Sequence, residues 1–398
     1  MKTRTVFIAV ILGVVCSFLL QYPALAALGQ DTPATTTLDV KKEDPAQTGK
    51  LDSSSSSGGT RTITLDVEVT DRSGRLIAGL QPTDFALFDN KQKQSLVSFH
   101  EVTGIGAKAD PPVTVVLLVD TVNEWHPIFS HETIEWDELR DYFQKDGAHL
   151  ALPTSLFVLT DQGITVQNHP SREGKVLADF LTANTAGLGA VDDRGSPQKR
   201  AELSTLSLRG LDFLGNSLRA IPGRKLILWL SLGWMDFSHF STDPHQDDQM
   251  LFSFIASLSN ELRDARITLY AIDPRSPVQD EDDYRNWKSL SLQNNLDYMS
   301  YLRGAYKSYL KGVPSPKQAS YGSLLLPVLA THTGGLVLSD GSDLAKKIER
   351  CISDANSYYV LTFNGPVAAH SNEYHGIEIQ MADPGLKART GSGYYAQP

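Results

Sequence analysis

Val113-Thr114-Val115-Val116-Leu117-Leu118-Val119-Asp120, followed by Thr121-Val122-Asn123-Glu124, decides how this chain is read. Seven residues dominated by Val and Leu, without polar alternation and ending in a carboxylate, predict a parallel strand covered on both faces. Such a strand lies mid-sheet. In open α/β sheets ligands bind in the crevice beyond the strand C-termini, where strand order reverses, so Asp120 is expected to mark the site. By position the crevice also takes in Thr121, Asn123 and Glu124 and, from the end of a second apolar strand, Ser231 and Gly233.

Outward from that stretch, strands and helices alternate after Asp110-Pro111-Pro112. A helix is expected near 131–144, then a strand at 155–159. Gly163 to Val166 follows so closely that it reads as an antiparallel edge strand. A helix near 173–181 leads to a Gly- and Asp-rich surface loop at 186–197. Leu203, Leu206, Leu214 and Leu218 then recur at helical spacing until Pro222-Gly223 ends the helix. Arg224 to Leu230 is a second buried strand. Helix 246–264 carries an apolar stripe of Leu251, Phe254, Ile255, Leu258 and Leu262 into strand Ile267 to Ile272. Further helices are expected at 293–311, 321–332 and 342–356, the last capped by Ser342-Asp343, with a strand at 336–338. The alternation predicts a doubly wound, mostly parallel α/β sheet with helices on both faces.

The flanks read differently. Ile63, Leu65, Val67 and Val69 alternate with Thr62, Thr64, Asp66, Glu68 and Thr70, the pattern of a half-buried antiparallel strand. Asp71 to Gly74 and Asp89-Asn90 supply turn chemistry. Period-two strands return at Tyr358 to Phe363, Gly376 to Met381 and Gly391 to Tyr395. Neither end can build a large core alone, so the two are expected to pair into one small β-sandwich-like domain. The boundaries that follow are 61–109 and 357–398 for the β-domain and 110–356 for the α/β domain.

With 36 basic and 46 acidic residues the formal charge is −10, which argues against nucleic acid or an anionic membrane as partner. Lys2 and Arg4, the apolar run Val6 to Leu20, and Ala24-Leu25-Ala26 form the three parts of a secretory signal, with cleavage expected after Ala26. The run is short for a spanning helix, so no membrane span is expected in the mature protein, which would be secreted or periplasmic. Residues 27–60, rich in Thr, Pro and Ser, read as a disordered linker. Cys351 is then the only cysteine of the mature chain, flanked by Ile348 and Ile352 at helical spacing, and is expected to be a buried thiol.

The motif order resembles the von Willebrand factor A-related domain proteins of the acidobacterial type. The resemblance rests on Thr64 to Asp71 with Gly74, Leu80 with Asp84-Phe85, Pro222-Gly223-Arg224-Lys225 before Leu228-Trp229-Leu230-Ser231, and Ala271-Ile272-Asp273. It continues through Thr333-Gly334-Gly335, Ser357-Tyr358-Tyr359 and Gly393-Tyr394-Tyr395-Ala396. It implies a six-stranded von Willebrand factor A-like sheet with binding at the C-terminal end of strand 113–120, in many such domains through a divalent cation held by Asp-x-Ser-x-Ser. Here Asp120 is present, but Val122 and Glu124 replace the two hydroxyls, and Leu232 stands where an aspartate is wanted before Gly233. The cation site is degenerate. If Mg²⁺ or Ca²⁺ binds, Asp120 and Glu124 are its ligands.

Two more groups bear on function. His239, Asp243 and His245 crowd one loop beyond strand 224–230 and could ligate a transition metal, as in a metal-dependent hydrolase, although Pro244 breaks any helical register among them. Trp125, Trp136 and Trp234 fall near the same rim, where they either anchor a partner or cover the sheet end. No Gly-x-Ser-x-Gly, phosphate loop, His-Glu-x-x-His or three-glycine dinucleotide turn is present. The expectation is a non-enzymatic, extracytoplasmic module that binds a protein or glycan at the crevice. A cation-dependent adhesin using Asp120 and Glu124 is the alternative.

Overall fold

The structure is a computed structural model that describes residues 36–37, 61–104, 111–122, 136–167, 169–185, 197–231, 244–272, 312–319, 324, 326–338 and 343–398. In chain order β1 (Thr36–Thr37), β2 (Thr62–Thr70), β3 (Phe85–Asp89), β4 (Gln92–Gln94) and β5 (Leu96–Thr103) precede the quoted stretch, which forms β6 (Thr114–Asp120). Then come α1 (Asp137–Ala148), β7 (His149–Thr160), β8 (Gly163–Val166), β9 (Ser171–Glu173), α2 (Gly174–Thr185) and α3 (Pro197–Arg219). The α/β part ends with β10 (Lys225–Leu230), α4 (Pro244–Asp264), β11 (Ile267–Ile272), α5 (Leu326–His332), β12 (Val337–Leu338) and α6 (Leu344–Ser353). The last strands are β13 (Ser357–Asn364), β14 (Glu373–Met381), β15 (Lys387–Arg389) and β16 (Gly393–Ala396).

β6 lies in the middle of the large sheet, between β7 and β10, in the order β1-β8-β7-β6-β10-β11-β12. Its pairings with β7 and β10 are parallel, as are those of β10 with β11 and β11 with β12, whereas β8 runs antiparallel to β7 and is not the edge strand expected, because β1 pairs antiparallel outside it. Counted from β6 this is the doubly wound order 3-2-1-4-5-6, and the order reverses between β6 and β10. The sheet is doubly wound and mostly parallel as expected, but it has eight strands where six were expected, β1 and β9 being additional antiparallel strands. Val116 and Leu118 pack with α3, α4 and α5 on one face, while Val115, Leu117 and Val119 pack with α1, α2 and α6 on the other. A strand covered on both faces buries every residue, which is why the sequence shows no polar alternation there.

Several boundaries move. The first helix begins at Asp137 and places Asp137 and Glu138 in its first turn. β7 begins six residues earlier than expected and accommodates Pro153 inside the register shift between His149 and Thr154, the kind of irregularity where a strand tolerates proline. α6 is capped by Asp343, whose side chain accepts from the Lys346 N–H. The helix expected at 293–311, the signal peptide and all of 27–60 except Thr36–Thr37 lie outside the described residues.

The two ends of the chain meet in two antiparallel sheets, β15-β2-β13-β5 and β16-β14-β3-β4. Ile63, Leu65, Val67 and Val69 of β2, with Tyr359 and Leu361 beside them on β13, pack with Leu87 and Tyr394 of the other sheet in the core between them. Asp89 is buried at the tip of β3, accepting from Tyr394 Oη at 2.6 Å with His375 Nδ1 at 2.7 Å, so the closing Gly393-Tyr394-Tyr395 motif is pinned by its first tyrosine. The second tyrosine crosses to the other domain. Tyr395 Oη donates to Val313 O at 3.0 Å, and the Asn260 side-chain amide pairs with the Tyr395 backbone. Gly335 marks a second close approach, since a Cβ there would collide with the Leu269 carbonyl oxygen of β11.

Candidate functional site

The switch point between β6 and β10 puts the ends of both strands, and the residues that follow them, at one edge of the sheet. Asp120 is there but has no solvent-exposed surface. Its Oδ1 accepts from the Val122 N–H at 2.9 Å and its Oδ2 from Trp229 Nε1 at 2.8 Å. The expectation of a carboxylate aimed into an open cleft is therefore corrected. Trp229 sits fully buried on β10, its indole N–H needs an acceptor, and the neighbouring strand supplies Asp120.

The other strand-end residues serve the backbone. Thr121 donates from both its N–H and its hydroxyl to Leu159 O, at 2.9 and 3.0 Å, which ties β6 to β7. Ser231 is buried and donates its N–H to Ile272 O, which extends β10 along β11. Asn123, Glu124 and Gly233, together with His239 and Asp243, lie outside the described residues. His245 falls in the first turn of α4, its side chain outside the description, and Pro244 is the first residue of that helix. Trp136 packs against the α1–α2–α6 core, the covering role.

These residues do not fit the octahedral oxygen shell that a divalent cation asks for. Asp120 holds two hydrogen-bond donors, Val122 is a buried apolar side chain, and the Thr121 hydroxyl donates to a carbonyl. Among the described residues no group of three or more His, Cys, Asp or Glu is placed to hold a metal.

Among the described residues the opposite edge of the sheet gathers the buried charges Glu68, Arg224, Lys225 and Asp354, and sequence reading missed it. Arg224, just before β10, ion-pairs with Glu68 of β2, and both are about 1% exposed. Arg224 also donates to Asp354 O at 3.2 Å and to Thr268 Oγ1, and stacks 4.7 Å from the Tyr358 ring centroid. Asp354, fully buried after α6, accepts from Tyr270 Oη at 2.8 Å and from Arg389 Nη2 at 2.5 Å, and Arg389 reaches within 3.7 Å of Glu68. Arg266 pairs with Asp66 at the margin. Two guanidiniums and two carboxylates balance inside the joint. Burial pulls Arg224 down, but Glu68, Tyr270 and Asp66 outweigh it and hold the guanidinium above its ordinary value. Burial lifts Glu68 against the opposing pull of Arg224 and Arg389. Thus Asp66 and Glu68, the polar face of an alternating strand, meet the second domain where water was expected.

No family model matches the sequence, and no curated protein matches it. Among solved structures, the manganese-loaded Plasmodium vivax TRAP protein is similar at 12% identity, over 74% of this chain and 96% of that one, with a TM-score of 0.23. At that level the likeness carries no weight. The strand order is that of a doubly wound sheet and is consistent with a von Willebrand factor A-like fold.

Proposed function

We propose that this protein is an extracytoplasmic, non-catalytic binding module whose protein or glycan partner is engaged at the C-terminal edge of the parallel sheet. The observation that carries this reading is the placement of the β-sandwich. Its buried charges, Glu68 and Arg389, grip the N-terminal edge through Arg224 and Asp354, and β6, β10 and β11 all end at the other edge. Ligands of doubly wound sheets bind at that second edge. Asn123, Glu124 and Gly233 are the positions assigned to the partner, and Asp120 is an internal brace at the end of β6.

Affinity capture from the native envelope and a glycan array, each run with wild type and with an Asn123→Ala/Glu124→Ala double variant, test the proposal. A discrete partner or glycan that the wild type retains and the variant loses is expected. Equal retention by both proteins, or hydrolase turnover by the purified chain, overturns it. The finer assignments, to secretion with cleavage after Ala26 and to the acidobacterial type of the family, belong to the same proposal. N-terminal sequencing of the exported protein checks the cleavage.

A further inference from the structure

β1 is a strand where a linker was expected, and its sequence has a counterpart in the sandwich. Thr35-Thr36-Thr37-Leu38-Asp39-Val40 repeats Thr62-Ile63-Thr64-Leu65-Asp66-Val67 of β2, differing only in Thr36 for Ile63. In β2 that sequence runs antiparallel along β13 and buries Ile63, Leu65 and Val67. The repeated residues therefore form a strand elsewhere in this same molecule. Side chains alternate along a strand, so the buried face of β2 corresponds to positions 36, 38 and 40 of the copy.

The copy begins on the outer side of β8. Thr36 pairs with Val166 and Thr37 with Thr165, while β7 takes the other side of β8. Along a strand, the backbone groups of successive residues point to opposite neighbours. Gln167 donates its N–H to Leu156 O, on the β7 side. Thr165 and Gly163 therefore face β7 too, whereas Val166 and Ile164 turn their N–H and C=O groups outward. Thr36 meets the first of these, and in the same register the residue opposite Ile164 is Leu38. Directly opposed residues share a face of the sheet, and Ile164 is buried in the core that α3 covers, with Val166 packed at its margin. Register and repeat, read independently, turn the same positions toward that core.

We propose that the outer side of β8 is a docking edge for the chain's own segment Thr35 to Val40, in which Thr36 and Leu38 bond Val166 and Ile164. Gly163-Ile164-Thr165-Val166 carries no charge or proline, the devices that blunt an outermost strand. The copy is flanked by Pro33 and by Lys41-Lys42, which supply them. The occupant comes from the same molecule. Residues 41–61 join it to β2 and reach up to roughly 70 Å. That exceeds the diameter of about 50 Å expected for a domain of this size, so docking within one chain needs no strain. A segment tethered in this way meets its site at an effective concentration on the order of millimolar, above that of a second copy at micromolar protein. Docking shields β8 from strand addition by other chains, and it does not depend on the partner assigned to the C-terminal edge.

The test is residue-resolved amide hydrogen exchange on the full chain. Ile164 and Val166 are expected to be protected in the wild type. Thr36→Pro/Leu38→Pro removes the two N–H groups that face β8 and should speed exchange at Ile164 and Val166 by about tenfold or more, the loss expected for two ladder bonds. Exchange at Gly163 and Thr165, which face β7, should stay unchanged and so exclude a general loss of stability. Thr37→Pro removes an N–H that points away from β8 and should leave all four amides as in the wild type. Equal exchange in wild type and Thr36→Pro/Leu38→Pro, or a Thr37→Pro as disruptive as the pair, overturns the proposal. Protection that rises with protein concentration, together with a dimer in sedimentation, also overturns it and gives the edge to a second copy.

Discussion

The two edges of the parallel sheet each bury a carboxylate, and they satisfy it in opposite ways. At the C-terminal edge, among the described residues, Asp120 accepts from neutral donors, one backbone N–H and one indole N–H. At the N-terminal edge Glu68 and Asp354 are held by guanidiniums from two domains. The first arrangement fixes two neighbouring strands and needs no other domain. The second makes each domain complete only against the other, because either half alone would expose or strand a buried charge.

Removing one partner at each edge separates them most sharply. Glu68→Ala leaves Arg224 inside the joint without its carboxylate, and a loss of about 3–5 kcal/mol is expected in chemical unfolding. Replacing both, as Glu68→Leu/Arg224→Met, should recover most of that, since an apolar pair avoids the desolvation cost. If the single and double variants lose the same amount, the joint is held by packing and the charges are incidental.

Asp120→Ala should cost less, about 1–3 kcal/mol, the penalty for leaving the Trp229 indole N–H unmet. Trp229→Phe should then add less on the Asp120→Ala background than in wild type, because the lost bond is the same one. Titration with Mg²⁺, Ca²⁺ and Mn²⁺ gives this edge a second readout. No heat that depends on Asp120 is expected. A cation heat present in wild type and absent from Asp120→Ala would mean that the carboxylate leaves Trp229 for a metal, and the contrast between the edges would collapse.

How far each edge was legible follows from the range of its contacts. The apolar run before Asp120 announced a central strand because burial on both faces is written in consecutive residues. The alternation from Ile63 to Val69 announced the sandwich core for the same reason. That Asp66 and Glu68 face protein was hidden, since Arg224 lies 156 residues from Glu68 and nothing local joins them. Two signals were available. Two acids at i and i+2 on one strand face call for a basic counterpart, and Arg224-Lys225 stands directly before a wholly apolar strand. Trp229 inside that strand likewise required an acceptor, which should have turned Asp120 inward.

A pH titration sharpens the comparison further, because Lys225 belongs to the N-terminal edge alone. Its Nζ is buried and donates to Gly223 O at 2.9 Å and Ala265 O at 2.6 Å, and burial, helped by Arg266, pushes it down to about 8. The unfolded chain keeps that proton to about 10.5. Between the two values the unfolded chain binds more protons, so stability rises with pH. Burial raises Tyr270 and Tyr358, which reverses the slope above the ordinary tyrosine value of 10.0 as the unfolded chain loses those protons first. A gain of about 1–2 kcal/mol between pH 8 and 9.5 is expected, and Lys225→Met should flatten it. A rise that survives Lys225→Met assigns the proton to another group.

The smallest effect asks whether the edges also open separately. Cys351 is fully buried on α6, three residues before Asp354, and burial holds its thiol well above the ordinary range. A thiol reagent should reach it only when α6 lifts from the sheet, so its labelling rate reports opening near the charged joint. Glu68→Ala and Asp120→Ala can be brought to equal global stability with denaturant and labelled side by side. Faster labelling in Glu68→Ala is expected, because its damage lies beside α6, whereas that of Asp120→Ala lies at the far ends of β6 and β10. Equal rates would mean that Cys351 is exposed only by global unfolding, in which case the two edges differ in how they hold a buried acid but come apart together.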